Sequence, residues 1–300
     1  MNAEALSRPS FSRTILELMS ICRLGTLPTV ISNCLAGWIL SGAGNTLKFL
    51  ILTLCLCTLQ TAISWILCLV ELPNTNTYKL RHPWLSTRIP LHSHWFCCAI
   101  LLWIGIFLAA LCGQTIALIA CLVILIGGII ALTHRIFLLS ALGPGLLRAL
   151  YYIAGGCVSW GGLLGYTLWG AIAIFFFMLG CGLITRRPPQ WGATSMTLPI
   201  VSFIIPLLLA LLINDGNYRT IGICFSSAVG LWLVYIFYQQ TIQTDPSLIP
   251  TYLVSTICLY DFLAAGIDSI PSLLILGFLF IFTLWSTQSS RTLSDQSIIL

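Results

Sequence analysis

Long apolar stretches, separated by short polar connections, follow one another along almost the whole chain. Each is close to the length that an α-helix needs to cross the ~30 Å hydrocarbon core of a bilayer. They cover residues 27–41, 49–70, 95–111, 115–132, 145–163, 168–184, 198–213, 221–238, 250–267 and 271–285. Only residues 268–270 separate the last two, so the pattern predicts nine or ten transmembrane helices. The alternation of apolar and polar positions that a membrane β-barrel requires is missing.

The composition agrees with this pattern. Apolar residues make up 58% of the chain and charged residues 7%, whereas about 25% of residues are charged in a typical soluble domain. We therefore predict an all-α, polytopic membrane helix bundle. Residues 1–26 are interpreted as an amphipathic lead-in, 27–288 as the transmembrane domain and 289–300 as a tail.

The basic residues predict the orientation, because Lys and Arg are enriched in cytoplasmic loops. With the N-terminus inside, the cytoplasmic segments hold Arg8, Arg13, Arg23, Lys79, Arg81, Arg88, Arg135, Arg186 and Arg187. The opposite side holds Lys48 and Arg219. The net charge of +5 is thus mostly a topology signal and does not call for a nucleic-acid partner.

Three ionisable side chains fall within or at the mouth of apolar segments: Glu71, Arg148 and Asp261. Such groups cost about 2.5–3.5 kcal/mol to insert and are therefore candidate functional groups. Arg148 is interpreted in two ways. It faces a cavity and binds an anion there, or it is a structural cation that pairs with Asp261 or with a backbone carbonyl. Asp261 fits a helix-packing hydrogen bond or a functional site, and Asn33 is a further polar candidate.

Two polar segments, 71–94 and 185–197, are predicted to lie on the same cytoplasmic face. The first reads ELPNTNTYKLRHPWLSTRIPLHSH and contains a single acid, Glu71. The second contains Arg186 and Arg187, which together suit a phosphate group. His92 and His94 have the spacing of two metal ligands, but no acidic third ligand lies nearby.

Four stretches together resemble the UbiA superfamily of intramembrane prenyltransferases. They are RLGTLPTVISNCLAGWIL, THRIFLLSALGPGLLRALYYIAGG, FMLGCGLITRRPPQWG and ICLYDFLAAGIDSIPSLLILGFLFIFTLWST. The third and fourth are similar to a divergent branch that includes members of the Ebo type of bacterial metabolite clusters. The order and spacing of the stretches carry the resemblance, which spans nearly the whole chain.

The resemblance implies a bundle around a central cavity, capped by the two polar segments, in a bacterial cytoplasmic membrane. It also implies an isoprenyl diphosphate donor and an aromatic or lipid acceptor. In the family, an NDxxDxxxD pattern binds Mg²⁺; here that pattern falls on Leu67, Cys68, Glu71 and Thr75. Glu71 is thus the candidate catalytic residue and metal ligand. The candidates for holding the diphosphate are Lys79, Arg81, Arg88, Arg148, Arg186 and Arg187. The cavity candidates are Asn33, Tyr152 and Asp261.

Three hypotheses about function follow. The chain is an active prenyltransferase with a degenerate metal site, or a non-catalytic protein that binds or moves an isoprenoid or similar lipid. A secondary transporter is the third class, although such proteins show inverted repeats and none is visible here. All three hypotheses depend on one predicted feature: the two polar segments close over a shared apolar cavity.

Overall fold

The computed structural model describes residues 24–71, 91–133, 135–185, 197–213, 218–242, 248–265 and 270–299. This part of the chain folds into ten α-helices after a short 3₁₀ turn, Leu24–Thr26. The helices are α1 (Leu27–Leu40), α2 (Thr46–Glu71), α3 (Leu91–Cys112), α4 (Gln114–Leu132), α5 (Phe137–Val158), α6 (Gly165–Thr185), α7 (Thr197–Ile213), α8 (Tyr218–Ile242), α9 (Leu248–Ala265) and α10 (Ile270–Ile299).

Five of the described helices, α2 to α6, are long and apolar enough to cross a membrane by length and composition. The other five contain shorter apolar stretches. Helices suit this environment because each backbone polar group is satisfied within the segment itself. The chain is therefore a multi-pass membrane protein, while the exact number of crossings stays a prediction. The predicted boundary at residue 288 falls inside α10.

Two helices begin four or more residues earlier than the apolar pattern predicted. α3 begins at Leu91 instead of residue 95, so His92 and His94 lie in its first turn. α5 begins at Phe137 instead of residue 145 and ends at Val158 instead of 163, with Pro144 inside it. A proline removes one backbone donor, and membrane helices tolerate this loss when neighbouring helices support the chain.

The α1–α2 and α5–α6 connections meet at one end of the bundle. An isolated antiparallel bridge pairs Gly44 with Ser159. The Trp160 N–H donates to the Ala43 carbonyl at 2.8 Å, and the Gly161 N–H donates to the Ser41 carbonyl at 3.2 Å. We call this end the closed end and the opposite end the loop end.

The position of the closed end shows at which end of the bundle α2 and α6 finish. Both helices start there and run the length of the bundle, so Glu71 and Thr185, their last residues, lie at the loop end. The polar segments that follow them therefore leave from the same end, as the basic residues predicted.

α1 is the central helix of the described bundle and packs against α2, α5, α6, α9 and α10. It meets α5 backbone to backbone. A Cβ atom on Gly37 would lie 2.1 Å from the carbonyl oxygen of Tyr152, and one on Gly155 would lie 2.2 Å from the carbonyl oxygen of Cys34. Small residues allow this close approach, and it places the polar side chains of α1 within reach of α5.

Candidate functional site

The candidate site residues divide into two groups. Glu71 is the last residue of α2, and its side chain lies outside the described part of the structure. The same is true of the five cations in the two polar segments: Lys79, Arg81, Arg88, Arg186 and Arg187. The remaining four candidates are all described and come together inside the bundle: Asn33, Arg148, Tyr152 and Asp261.

Asp261 is the centre of this internal group. Its side chain is fully buried and accepts hydrogen bonds from α1 and α5. The Asn33 Nδ2 atom donates to both carboxylate oxygens, at 2.9 and 2.8 Å, and the hydroxyls of Ser32 and Tyr152 also donate to the carboxylate. These three donor residues supply the hydrogen bonds that a buried carboxylate requires. Asp261 thus ties the parallel helices α1, α5 and α9 together.

Arg148 joins this group through Asn33. Its Nη1 atom donates to the Asn33 Oδ1 atom at 3.2 Å, and its guanidinium lies 5.7 Å from the centre of the Tyr151 ring. The side chain is only 6% exposed. The sequence left open whether Arg148 pairs structurally with Asp261, and the structure links the two through the Asn33 amide.

A second set of hydrogen bonds connects Tyr151 with α2. The Tyr151 hydroxyl donates to the Gln60 Oε1 atom at 2.6 Å, and the Gln60 Nε2 atom donates to the Ser64 hydroxyl at 3.1 Å. Ser64 lies four residues after Gln60 and seven before Glu71, so all three positions share one face of α2. This face leads from the loop end to the level of Arg148. Sequence reasoning missed Gln60, although its spacing from Ser64 and Glu71 was the available signal.

The predicted central cavity stays a prediction, and the structure describes a different, smaller cavity. A small cavity of about 30 Å³ lies in the closed-end half of the bundle, between α1, α5, α6, α7 and α9. Tyr152 and Tyr260 are among its lining residues. This volume holds about one water molecule and is too small for an isoprenoid. The central cavity predicted beneath the two polar segments involves residues outside the described ranges.

The two histidines at the start of α3 do not share an environment. His92 is exposed, whereas His94 is 2% exposed and packs against Trp65 with 5.8 Å between ring centres. Within the described ranges, no group of three or more His, Cys, Asp and Glu side chains is arranged to hold a metal ion.

The two polar segments supply only one carboxylate for the Mg²⁺ that the family resemblance implies. Protein-bound Mg²⁺ is held by one or two carboxylates together with substrate phosphates and water. Residues 71–94 supply Glu71 alone, and residues 185–197 supply no acid. These side chains do not form a resident magnesium site by themselves.

Comparisons with known proteins agree at the level of the fold. No sequence-family profile and no curated protein sequence matches the chain. A solved structure of digeranylgeranylglyceryl phosphate synthase from membranes superposes on it with a TM-score of 0.65 and 15% identity, covering 86% of this chain and 100% of that one. The chain therefore has the fold of that membrane enzyme.

Proposed function

We propose that this protein is a UbiA-like integral membrane prenyltransferase, which transfers an isoprenyl group from an isoprenyl diphosphate to a lipophilic acceptor. The observation that carries the proposal is the position of Glu71 and Thr185 at one end of the bundle. The basic segments that follow these residues contain five cations. The fold shared with digeranylgeranylglyceryl phosphate synthase supports the same reaction class.

The cations of the two polar segments are suited to the diphosphate. Arg side chains bind phosphate oxygens through paired N–H groups, and a Lys side chain contributes a point charge. In this proposal, the diphosphate is bound by the side chains of Lys79, Arg81, Arg88, Arg186 and Arg187. Positive charge at this position also stabilises the negative charge that develops on the departing diphosphate.

The reaction breaks the bond between the allylic carbon and the diphosphate oxygen, and the electron pair leaves with the diphosphate. The acceptor then bonds to the allylic carbon and gives up a proton. Glu71 is our candidate for the base that takes this proton, because it is the sole carboxylate in the two polar segments. No step in this scheme depends on a protein-bound metal.

Turnover by the purified protein tests this proposal. The protein is reconstituted in nanodiscs and incubated with tritiated geranylgeranyl diphosphate and a membrane lipid extract, with and without added Mg²⁺. We expect a labelled lipid product and stoichiometric diphosphate release, both strongly reduced in Glu71→Gln. The matched control is Lys48→Gln, an exposed cation at the closed end, which should retain activity. The absence of product and of diphosphate release under all conditions would exclude the enzyme.

A non-catalytic lipid-binding protein on the same fold is the second candidate. The single acid of the two polar segments favours it, because the family pattern uses several aspartates to organise the diphosphate. This candidate predicts that geranylgeranyl diphosphate binds without turnover. Binding and product formation, measured on the same sample, separate the two candidates.

A further inference from the structure

The closed end presents a tryptophan that is almost fully exposed and yet rigidly held. The Trp160 side chain is 85% exposed. Its backbone N–H donates to the Ala43 carbonyl, and a Cβ atom on Gly44 would lie 3.0 Å from the Trp160 Cδ1 atom, so the indole packs over that glycine. Gly162, at a φ of +67°, continues the turn in a left-handed conformation that glycine adopts readily. The turn thus holds a large apolar ring on the outside of the bundle.

The surface that follows Trp160 along the chain is also apolar and aromatic. Its exposed side chains are Leu163, Leu164, Tyr166 and Trp169. An open cavity of about 330 Å³ lies here, lined by Leu164, Gly165, Tyr166 and Trp169. Its volume falls in the range of about 300–1,000 Å³ that is typical of ligand pockets. The lining side chains carry no charge, and their hydrogen-bonding groups are the indole N–H of Trp169 and the hydroxyl of Tyr166.

The lengths of α5 and α6 place this surface at the border of the hydrocarbon core. α6 has 21 residues and is about 32 Å long at 1.5 Å per residue, and α5, with 22 residues, is about 33 Å long. Both lengths match the ~30 Å thickness of the hydrocarbon core. When the loop end of these helices lies at one border of the core, the α5–α6 connection lies just outside the other border, in the layer of glycerol and ester groups.

The composition of the two closed-end connections suits that layer better than water. Residues 41–47 and 159–166 contain no charged side chain. The hydroxyls of Ser41 and Ser159 are used within the protein, where they bond to the Thr167 hydroxyl and the Gly156 carbonyl. Trp and Tyr are enriched at membrane interfaces, because their rings prefer an apolar environment and their N–H and O–H groups a polar one.

We propose that Trp160, Tyr166 and Trp169 anchor the closed end in the glycerol–ester layer of the membrane, and that the cavity beside them binds the glycerol–ester part of one phospholipid. The indole N–H groups and the Tyr166 hydroxyl donate to ester carbonyl oxygens. The lipid chains lie along exposed apolar side chains of α6, such as Leu168 and Ile172. This binding surface does not depend on the prenyl transfer proposed above.

Fluorescence quenching of the full-length protein in nanodiscs measures the depth of Trp160. The lipid is phosphatidylcholine brominated either near the ester end of its chains or near the chain ends, and iodide is the quencher in water. The signal of Trp160 is the difference between the unmodified protein and Trp160→Phe, which removes one of the ten tryptophans. The control is Trp103→Phe, because Trp103 is also exposed but lies near the middle of α3.

We expect bromine near the ester end to quench the Trp160 signal at least two-fold more than bromine near the chain ends, since Trp side chains prefer the interface. The Trp103 signal should show the reverse order. Quenching of Trp160 by iodide, with no effect of either brominated lipid, would overturn the anchor, because the closed end would then project into water. The same order of quenching for Trp160 and Trp103 would overturn the proposed depth.

Retention of lipid tests the cavity separately. A Cβ atom on Gly165 would meet no other atom within 4 Å, so Gly165→Leu fills the cavity without a backbone clash. Gly128→Leu in α4 is the matched control, because a Cβ atom there also meets open space. Native mass spectrometry of protein released from phosphatidylcholine nanodiscs should show a bound phospholipid in the unmodified protein and in Gly128→Leu. The lipid-bound fraction should fall at least three-fold in Gly165→Leu, and an unchanged fraction would overturn the cavity as a lipid site.

Discussion

Arg148 and Asp261, opposite charges on α5 and α9, are joined through the side-chain amide of Asn33. The Asn33 Oδ1 atom accepts from Arg148 at 3.2 Å, and its Nδ2 atom donates to Asp261 at 2.9 and 2.8 Å. One amide thus uses both of its polar atoms to connect two buried charges, and α1 holds it between the two helices. The arrangement makes the three side chains one energetic unit, so their substitutions should not act independently.

We predict that Asn33→Ala destabilises the folded protein by about 1–2 kcal/mol. The estimate takes the three hydrogen bonds of the amide at about 0.6 kcal/mol each, the average for polar contacts between membrane helices. Unfolding of purified protein in mixed micelles with increasing SDS measures the change.

Ser226→Ala is the matched control for that measurement. Ser226 is buried in α8, and its hydroxyl has no hydrogen-bond partner in the described part of the chain. Its removal breaks no described hydrogen bond, so the free energy of unfolding should fall by less than it does for Asn33→Ala. Equal losses of unfolding free energy in Asn33→Ala and Ser226→Ala would show that the hydrogen bonds of Asn33 do not stabilise the fold.

We predict that Arg148→Met and Asp261→Asn are non-additive. Each single substitution leaves one buried charge without its counter-charge, which is strongly destabilising. The double variant removes both charges, so it should be more stable than the sum of the single effects predicts, by about 1–3 kcal/mol. A double-mutant cycle in the SDS unfolding assay gives this coupling energy, and additivity within error would contradict the linkage.

We predict that Gly37→Ala and Gly155→Ala each destabilise the bundle by about 1–3 kcal/mol, because the new Cβ atom would overlap the backbone of the facing helix. The overlaps are with the carbonyl oxygens of Tyr152 and Cys34, which cannot move without shifting a helix. The control is Gly128→Ala in α4, where a Cβ atom would meet no other atom within 4 Å. Gly128→Ala should be neutral or gain up to about 1 kcal/mol from helix propensity. Equal effects at all three glycines would argue against the close α1–α5 contact.

Much of this architecture was predictable from the sequence. The apolar stretches predicted the helical membrane bundle, and the high insertion cost of ionisable groups singled out Arg148 and Asp261 as partners of other polar groups. The amide of Asn33 as the link between them was not predictable, because it depends on which faces of α1, α5 and α9 meet. Gln60 was missed because an uncharged polar side chain costs less free energy to insert into a membrane than a charged one does. Its presence in an apolar segment therefore did not mark it as a candidate.

The helix starts could not be located from hydropathy alone. The first turn of α3 is polar, since it contains His92, Ser93 and His94, so the apolar pattern begins one turn too late. In α5, the sequence Gly143–Pro144–Gly145 looks like the start of a helix, yet packing against α4 and α6 maintains the helix through it.

We predict that chelation has little effect on donor binding. Glu71 is the single acid in the two polar segments, whereas the five cations there neutralise a diphosphate directly. The affinity for geranylgeranyl diphosphate should therefore change less than three-fold when EDTA replaces Mg²⁺ in an equilibrium binding assay. A loss of ten-fold or more would show that a metal ion, and not the cations alone, holds the diphosphate.

The most direct measurement compares the affinities of the protein for geranylgeranyl diphosphate and for geranylgeraniol in nanodiscs, since these ligands differ in the diphosphate alone. We predict at least ten-fold tighter binding of the diphosphate by the unmodified protein. We predict loss of this preference in Arg186→Gln/Arg187→Gln and its retention in Lys48→Gln. Equal affinities for the two ligands, or an unchanged preference in the double variant, would contradict a diphosphate site formed by the two polar segments at the loop end.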